Sequence, residues 1–473
     1  MSNKSKLILL LLLLVSTANK AQKIISTTAK DRWQAGKIKV VKEAPSSAVN
    51  ITIYPDSLLQ RVSGFGASFS ELGWDALQHL DSKACEQVMA SLFSADGLNM
   101  AYGRLPIGSN DLSFAYYSYN DVKDDYTMRN FSIDRDRYIL IPFVKAALKH
   151  HPNLIFWASP WTPPSWMKIN EHYSLRSSGI NGTAVGHNML DSAGTVVRNV
   201  TGFNMKESNL KAYALYFSKY IKAYRQEGIH IKIVMPQNEV QWEPCWESCT
   251  WHPEDLNIFV NKYLGPQFDR DSLDTKIWLG TINYPDPRYV RRYFEQDSAR
   301  TYLKGIGVQW TGMRALPVIH KEHPNLEYMQ TEDMCGEGEN DWTSLENTWK
   351  SMVHCFNNGV GSYMYWNMVL ALDGKSSFGW KQNSLILIDC KNKKPIYTDE
   401  YYLMKHLSSF IQPGSVMLHS LGDGNTLVFR NEKGKIVIVT YNTSAKDKAY
   451  TYRVDSKLFA VTIKGKSINT IVI

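Results

Sequence analysis

From residue 62 to residue 410, short apolar runs that close in polar residues alternate with longer helical stretches about eight times. The runs are Val62–Phe69, Asn99–Pro106, Leu154–Ser159, Ile231–Pro236, Lys276–Ile282, Ile306–Trp310, Leu326–Thr331 and Gly361–Trp366. Several are fully apolar and rich in Ile, Val and Tyr, which suits parallel strands buried on both faces. Between them stand helical patterns at Glu71–Phe93, Asn209–Glu227, Pro253–Phe268, Tyr289–Leu303, Trp342–Asn358 and Asp399–Phe410. Strands and helices alternating at this count imply an α/β fold, with eight parallel strands closed into a (β/α)8 TIM barrel.

The two ends of the chain break the alternation. Residues 37–54 carry Lys37-Ile38-Lys39-Val40-Val41 and Val49-Asn50-Ile51-Thr52-Ile53, and the tail carries Thr426–Arg430, Lys435–Tyr441, Tyr450–Val454 and Ser467–Ile473. These are period-2 patterns separated by Gly, Asn and Lys turns. Because both ends supply them, one side β-sandwich built from the N- and C-terminal segments is expected beside the barrel. The division that follows is a leader at 1–21, N-terminal sandwich strands at 22–61, the barrel at 62–396, and its last helical region with the C-terminal sandwich at 397–473. A Gly-, Ser- and Asn-rich insertion, Asn170–Ser208, follows the third strand and is long enough to shape a substrate mouth.

Charge and cysteine content remove several classes of function. The 473 residues are 44% hydrophobic and 21% charged, which excludes a disordered chain, and the net +8 is scattered without a basic block, which argues against a nucleic-acid partner. Six cysteines are too few and too dispersed for a disulfide scaffold, and Cys245 and Cys249, which could bridge locally, lack His or Cys neighbours at zinc-like spacing. No metal and no cofactor is expected. Lys4 and Lys6, the apolar run Leu7–Val15 and small residues up to Ala21 read as a cleaved signal peptide, too short in its apolar part to span a membrane. A secreted or periplasmic protein without stable membrane insertion is expected. Five Asn-x-Ser/Thr sequons begin at Asn50, Asn130, Asn181, Asn199 and Asn442.

In a barrel of this kind the chemistry sits at the C-terminal strand ends. Glu239 closes the fourth strand segment and Glu332 the seventh, on opposite sides of the mouth. Two carboxyl groups across one bond suffice for glycoside hydrolysis, at about 5 Å for retention and about 6.5 Å or more for inversion. A single Glu after a strand is more often a cap or an ion-pair partner. Here Asn238 precedes Glu239 and is placed to donate to a sugar 2-hydroxyl, and Trp157, Trp161, Trp166, Trp242, Trp246, Trp251, Trp310, Trp366 and Trp380 crowd the same strand ends. Aromatic faces stack on the apolar faces of sugar rings. Other motifs are weak: Gly64-Phe65-Gly66 lacks a third glycine, His320–His323 lacks zinc-protease spacing, and no Gly-x-Ser-x-Gly elbow occurs. Asp333, Glu337, Glu339 and Asp341 form an acidic patch that reads as a solvated loop or a calcium site.

An ordered set of segments resembles glycoside hydrolase family 30, the glucosylceramidase-like retaining β-glycosidases. The segments are Gly64–Phe69, Gly103–Ser113, Ala158–Lys168, Gln237-Asn238-Glu239, Thr331-Glu332 and Tyr365-Trp366-Asn367. The resemblance implies Glu239 as acid/base and Glu332 as nucleophile. It also implies Asp111, Trp161, Asn238 and Trp366 as walls of the subsite for the cleaved sugar, with Arg104 orienting a carboxylate from beneath; Trp310, from the Trp-rich strand ends, is a further substrate-binding candidate. Two departures stand out. Where many members carry His-x-Tyr after the sixth strand, this chain has Gln309 and Thr311, so a hydroxyl partner of the nucleophile is missing. Val240 follows the acid/base where Pro is common, and Gln241–Trp251 forms a Trp- and Cys-rich loop that implies a different leaving-group side. The expectation is a retaining β-glycosidase of β-glucosidase or glucosylceramidase type, with ceramide glycosides disfavoured as substrate by those departures. The alternatives are an endo-β-1,6-glucanase, a β-xylosidase or a β-fucosidase and, from another class, a non-catalytic carbohydrate-binding protein.

Overall fold

The computed structural model describes residues 23–41, 49–178, 188–196, 200–296, 302–333 and 335–473; the expected signal peptide lies outside the described residues. Eight parallel strands close into a barrel: β1 Gly64–Ser68, β2 Tyr102–Pro106, β3 Ile155–Ser159, β4 Ile231–Val234, β5 Lys276–Ile282, β6 Leu303–Gln309, β7 Glu327–Glu332 and β8 Ser362–Asn367. Each pairs with its neighbours in chain order, and β8 pairs with β1 to close the ring. Inside the lower barrel Tyr102, Trp157, Ile233, Trp278, Met329 and Met364 pack as a plug, so the interior is filled core rather than a channel. Two residues further along β2, on the same face, Arg104 rises from this plug toward the mouth.

The expected helices are present with informative changes. Glu71–Phe93 divides into Glu71–Gln78 and Ser82–Phe93, because Asp81 caps the second by accepting the Ala84 N–H at 2.7 Å. Pro253–Phe268 is interrupted by a π-turn at Phe259–Leu264, just before Pro266, which has no N–H to continue the ladder. Tyr289–Leu303 shortens to Arg288–Phe294. Two further helices, Leu140–His150 and Leu316–Glu322, complete the layer after β2 and β6.

The terminal strands form one ten-stranded sheet whose order mixes both ends of the chain. Lys23–Thr28 pairs with Ser467–Val472, and the 12-residue strand Ile51–Val62 pairs along its length with Ser415–Gly422. Period-2 alternation sorts the side chains: Val428 and Ile438 face a core shared with Tyr452, Phe459 and Ile463, while Leu427, Phe429, Val437 and Val439 join the barrel's core. The sheet therefore folds into a sandwich, and one outer face of it is glued to the barrel. Ile51–Val62 leads almost directly into β1 through Gly64, at φ +126°, where a Cβ would stand 2.7 Å from the Ala101 Cβ. Among the described residues no helix is long and apolar enough to cross a membrane.

Candidate active site

The residues singled out in the sequence meet at the C-terminal mouth of the barrel. Asp111, Trp161, Asn238, Glu239, Trp310, Glu332 and Trp366 all line one cavity of about 410 Å³. Arg104 lies behind them, fully buried on β2. Its guanidinium is packed against three indoles, 4.7 Å from the Trp157 ring centre, 4.4 Å from Trp161 and 5.2 Å from Trp366. These rings fix the plane of the fork, which donates through Nη1 to Glu332 Oε2 and through Nη2 to Asn238 Oδ1 at 2.7 Å and Ser159 Oγ at 3.2 Å. One buried cation thus sets the positions of both the β4 and β7 strand ends.

Glu332 gathers further donors. Trp310 Nε1 donates to Oε1 at 2.8 Å and Gln309 Nε2 donates to Oε2 at 3.3 Å. Gln309 is itself oriented by the Thr331 hydroxyl, which donates to its Oε1 at 3.1 Å. With N–H groups on both oxygens the site is built for an acceptor-only group, a carboxylate. The missing hydroxyl partner is accounted for: Thr311 donates instead to the Asn283 carbonyl at 2.9 Å, and the Trp310 indole takes over the bond to the carboxylate.

Glu239 sits in a different environment. Burial, then the neighbouring Glu332 and Asp111 charges, push its carboxyl up to about 8. Its backbone, at φ +50°, lies in the left-handed region and is held by donation from its N–H to Thr281 Oγ1 at 2.8 Å. Thr281 also donates to Asn238 Oδ1 at 3.2 Å. With Arg104 and Thr281 both on Oδ1, the Asn238 Nδ2 is left free to donate into the cavity. Asp111, raised to about 7 by burial and by Glu332, accepts from Gln382 Nε2 at 3.2 Å, and Gln382 Oε1 accepts from Trp366 Nε1 at 3.0 Å. Gln382 belongs to a loop after β8, and nothing in its sequence setting distinguishes it.

Six of the nine tryptophans picked out at the strand ends line the cavity: Trp161, Trp242, Trp246, Trp310, Trp366 and Trp380. The other three do not line this cavity. Trp157 supports Arg104, Trp166 is buried in the main core, and Trp251 stacks on Phe203 with ring centres 4.7 Å apart. Asn283 and Tyr284, which follow β5, also line the cavity, and the alternation pattern alone does not reach them. The acidic patch forms a separate hollow of about 350 Å³ that shares Trp310 and Trp380. Among the described residues no group of three or more His, Cys, Asp or Glu is placed to hold a metal ion. Cys245 and Cys249 are both buried.

Residues 62–411 match the model of the glycosyl hydrolase family 30 TIM-barrel domain. The chain belongs to glycosyl hydrolase family 30. Residues 418–471 of this family 30 enzyme match the family's β-sandwich domain. It is similar to putative glucosylceramidase 1 of Caenorhabditis elegans, 29% identical over 84% of this chain and 77% of that one. An endo-1,6-β-D-glucanase of Aspergillus fumigatus is 27% identical over 84% of this chain and 81% of its own. The solved endo-β1,6-glucanase BT3312 matches with a TM-score of 0.80 at 25% identity, over 96% of this chain and 99% of that one. The family 30 enzyme is accordingly an O-glycosyl hydrolase acting on carbohydrate.

Proposed function

We propose that the protein is a secreted retaining β-glycosidase that cleaves β-glucosides by double displacement, with Glu332 as nucleophile and Glu239 as acid/base. The observation that carries this reading is the asymmetry of the two carboxyl groups: Glu332 is saturated with N–H donors, while Glu239 is pushed up to about 8 and so holds a proton at neutral pH. In the first step a Glu332 oxygen bonds to the anomeric carbon as the glycosidic C–O bond breaks, and the Glu239 proton passes to the leaving oxygen. In the second step Glu239, now ionised, takes a proton from water. The water oxygen attacks the anomeric carbon, the ester bond breaks, and Glu332 is restored. Asn238 Nδ2 donates to the 2-hydroxyl, where a bond strengthens as positive charge develops on the ring. Trp161 and Trp366, with ring centres 5.6 Å apart, wall the subsite of the cleaved sugar.

The glucosidase reading draws on the glucosylceramidase relatives, and similarity to two endo-1,6-glucanases favours internal cleavage of a β-1,6-glucan as the second reading. The test is hydrolysis of 4-nitrophenyl β-glucoside, xyloside, fucoside and galactoside by wild type and by Glu332→Gln. Release that is greatest from the glucoside and lost in the variant is expected, and nuclear magnetic resonance of the first product should show the β-anomer. An α-anomer as first product rejects retention, and a galactoside preference rejects the glucosidase reading. Secretion predicts an exported chain whose N-terminus lies near Gln22.

A further inference from the structure

A second cavity, of about 560 Å³, opens beside the first, and Tyr284 lines both. Its lining includes Val240 and Gln241, the two residues that follow Glu239, and Asp286, Arg288 and Arg292 from the segment after β5. None of Asp111, Trp161 and Trp366, the walls assigned to the cleaved sugar, borders it. Arg288 and Arg292 stand one helical turn apart on Arg288–Phe294. Arg288 is held on Asp286, its Nε donating at 2.6 Å, and Arg292 on Glu254, its Nε and Nη2 donating at 2.8 and 2.9 Å. Each pairing fixes one edge of a guanidinium and leaves N–H groups on the other edge.

We infer that this cavity receives the leaving group, and that the leaving group is an uncharged sugar unit of an oligosaccharide rather than a lipid. The inference rests on the reading of Glu239 as proton donor. The leaving oxygen must face the group that protonates it, so whatever departs extends along the residues next to Glu239, which is where this cavity begins. Its lining then defines the chemistry. Two cations each matched by a carboxylate leave little net charge to attract an anion, and they offer donors and acceptors together, as hydroxyl groups require. Tyr284 supplies an aromatic face for a sugar ring at the junction. The lining is mixed: Val240, Trp251 and Tyr289 supply apolar and aromatic surface on which a sugar ring stacks, whereas a hydrocarbon chain offers no partner to the hydrogen-bonding groups of Gln241, Thr250 and Asp286.

The test compares kcat/KM for glucose trisaccharides with β-1,3, β-1,4 and β-1,6 linkages, for octyl β-glucoside and for 4-nitrophenyl β-glucoside, in wild type, Arg288→Ala and Arg292→Ala. Both arginines are at the exposed rim, with side chains 80% and 49% accessible, so the variants are expected to fold. Wild type should prefer one trisaccharide over octyl glucoside by about tenfold or more. Each substitution should lower that trisaccharide's kcat/KM by about fivefold to tenfold, as expected for a lost hydrogen bond of about 1 kcal/mol, and leave the aryl glucoside within about twofold. A preference for octyl glucoside, or a trisaccharide rate untouched by either substitution, overturns the inference while the glycosidase reading stands. An equal loss on the aryl substrate also overturns it, by showing a general effect on the fold. No hydrolysis of any substrate defeats the glycosidase reading and the inference with it.

Discussion

At the scale of single residues, the active cavity is organised by one buried cation and the unequal fates of two carboxyl groups. Arg104 cannot be replaced by Lys at no cost, because three indoles and three acceptors fix a planar fork that an ammonium does not reproduce. Trp310 offers a sharper probe. Trp310→Phe keeps an aromatic wall but removes the N–H bonded to Glu332 Oε1. A hydrogen bond to a charged group contributes about 1.5–3 kcal/mol, so kcat on 4-nitrophenyl β-glucoside should fall roughly 10- to 100-fold. An unchanged kcat would show that this bond does not hold the nucleophile. Glu239 makes a prediction about pH. A carboxyl raised from about 4.5 to about 8 is the acid form below 8, so kcat/KM should fall as pH rises through about 8. Glu239→Gln, assayed on a 2,4-dinitrophenyl glucoside whose departure needs no proton, should lose that limb. If the limb persists in the variant, another group owns it. Both carboxylates and the Trp-rich mouth were legible because polar residues closing an apolar strand are conspicuous. Gln382 and Thr281 were not, since their contacts exist only once distant strand ends meet.

At the scale of elements, the barrel strands were readable because parallel strands buried on both faces appear as short apolar runs with abrupt polar ends. Helix Leu140–His150 was hidden by Pro142, which reads as a breaker but lies in the first turn, where its absent N–H has no helical partner to lose. Lys23–Thr28 falls within the 22–61 segment assigned to the sandwich, but no individual strand is legible in it. Its sequence, KIISTT, shows no alternation, and its strand state depends on pairing with the far end of the chain. The Trp- and Cys-rich loop Gln241–Trp251 is largely buried, and burial explains its chemistry. Glu247 is nearly inaccessible, and desolvation pushes it up to about 8. A folded-state value above the unfolded one means that its contribution to stability is fully present below about pH 4.5 and is lost as pH rises toward 8. Glu247→Gln cannot ionise, so the melting temperature of the variant relative to wild type should rise by about 2 °C or more between pH 5 and pH 8. A difference that stays constant over that range would show that Glu247 does not titrate in the folded protein.

At the scale of the molecule, the barrel and the sandwich are joined through shared core and a polar chain at their seam. The last barrel helix, Asp399–Ser408, presents His406 to two sandwich strands, Lys23–Thr28 and Ser467–Val472. Its partners fix which ring nitrogen carries the proton. Thr470 donates its hydroxyl proton to the His406 carbonyl at 2.7 Å, so its oxygen accepts from Nδ1 at 2.9 Å. Burial keeps the ring neutral, so Nε2 is an acceptor, and Thr27 Oγ1, which accepts the Trp33 N–H at 3.1 Å, gives its own proton to it at 2.9 Å. The neutral ring thus carries its proton on Nδ1, and a second proton on Nε2 requires the Thr27 hydroxyl to turn away. Burial acts in the same sense and pushes His406 down to about 3. Because the folded value lies below the ordinary 6.5, the neutral ring's contribution is complete above pH 6.5 and is lost as pH falls toward 3. His406→Phe should lower the melting temperature at pH 7 by removing both bonds, yet flatten its decline between pH 7 and pH 4. Since the barrel core and the outer sheet face packed on it are continuous through Phe429 and Val437, both proteins should unfold in one transition across that range. A variant whose acid decline parallels that of wild type would place the acid sensitivity of the seam elsewhere than at His406.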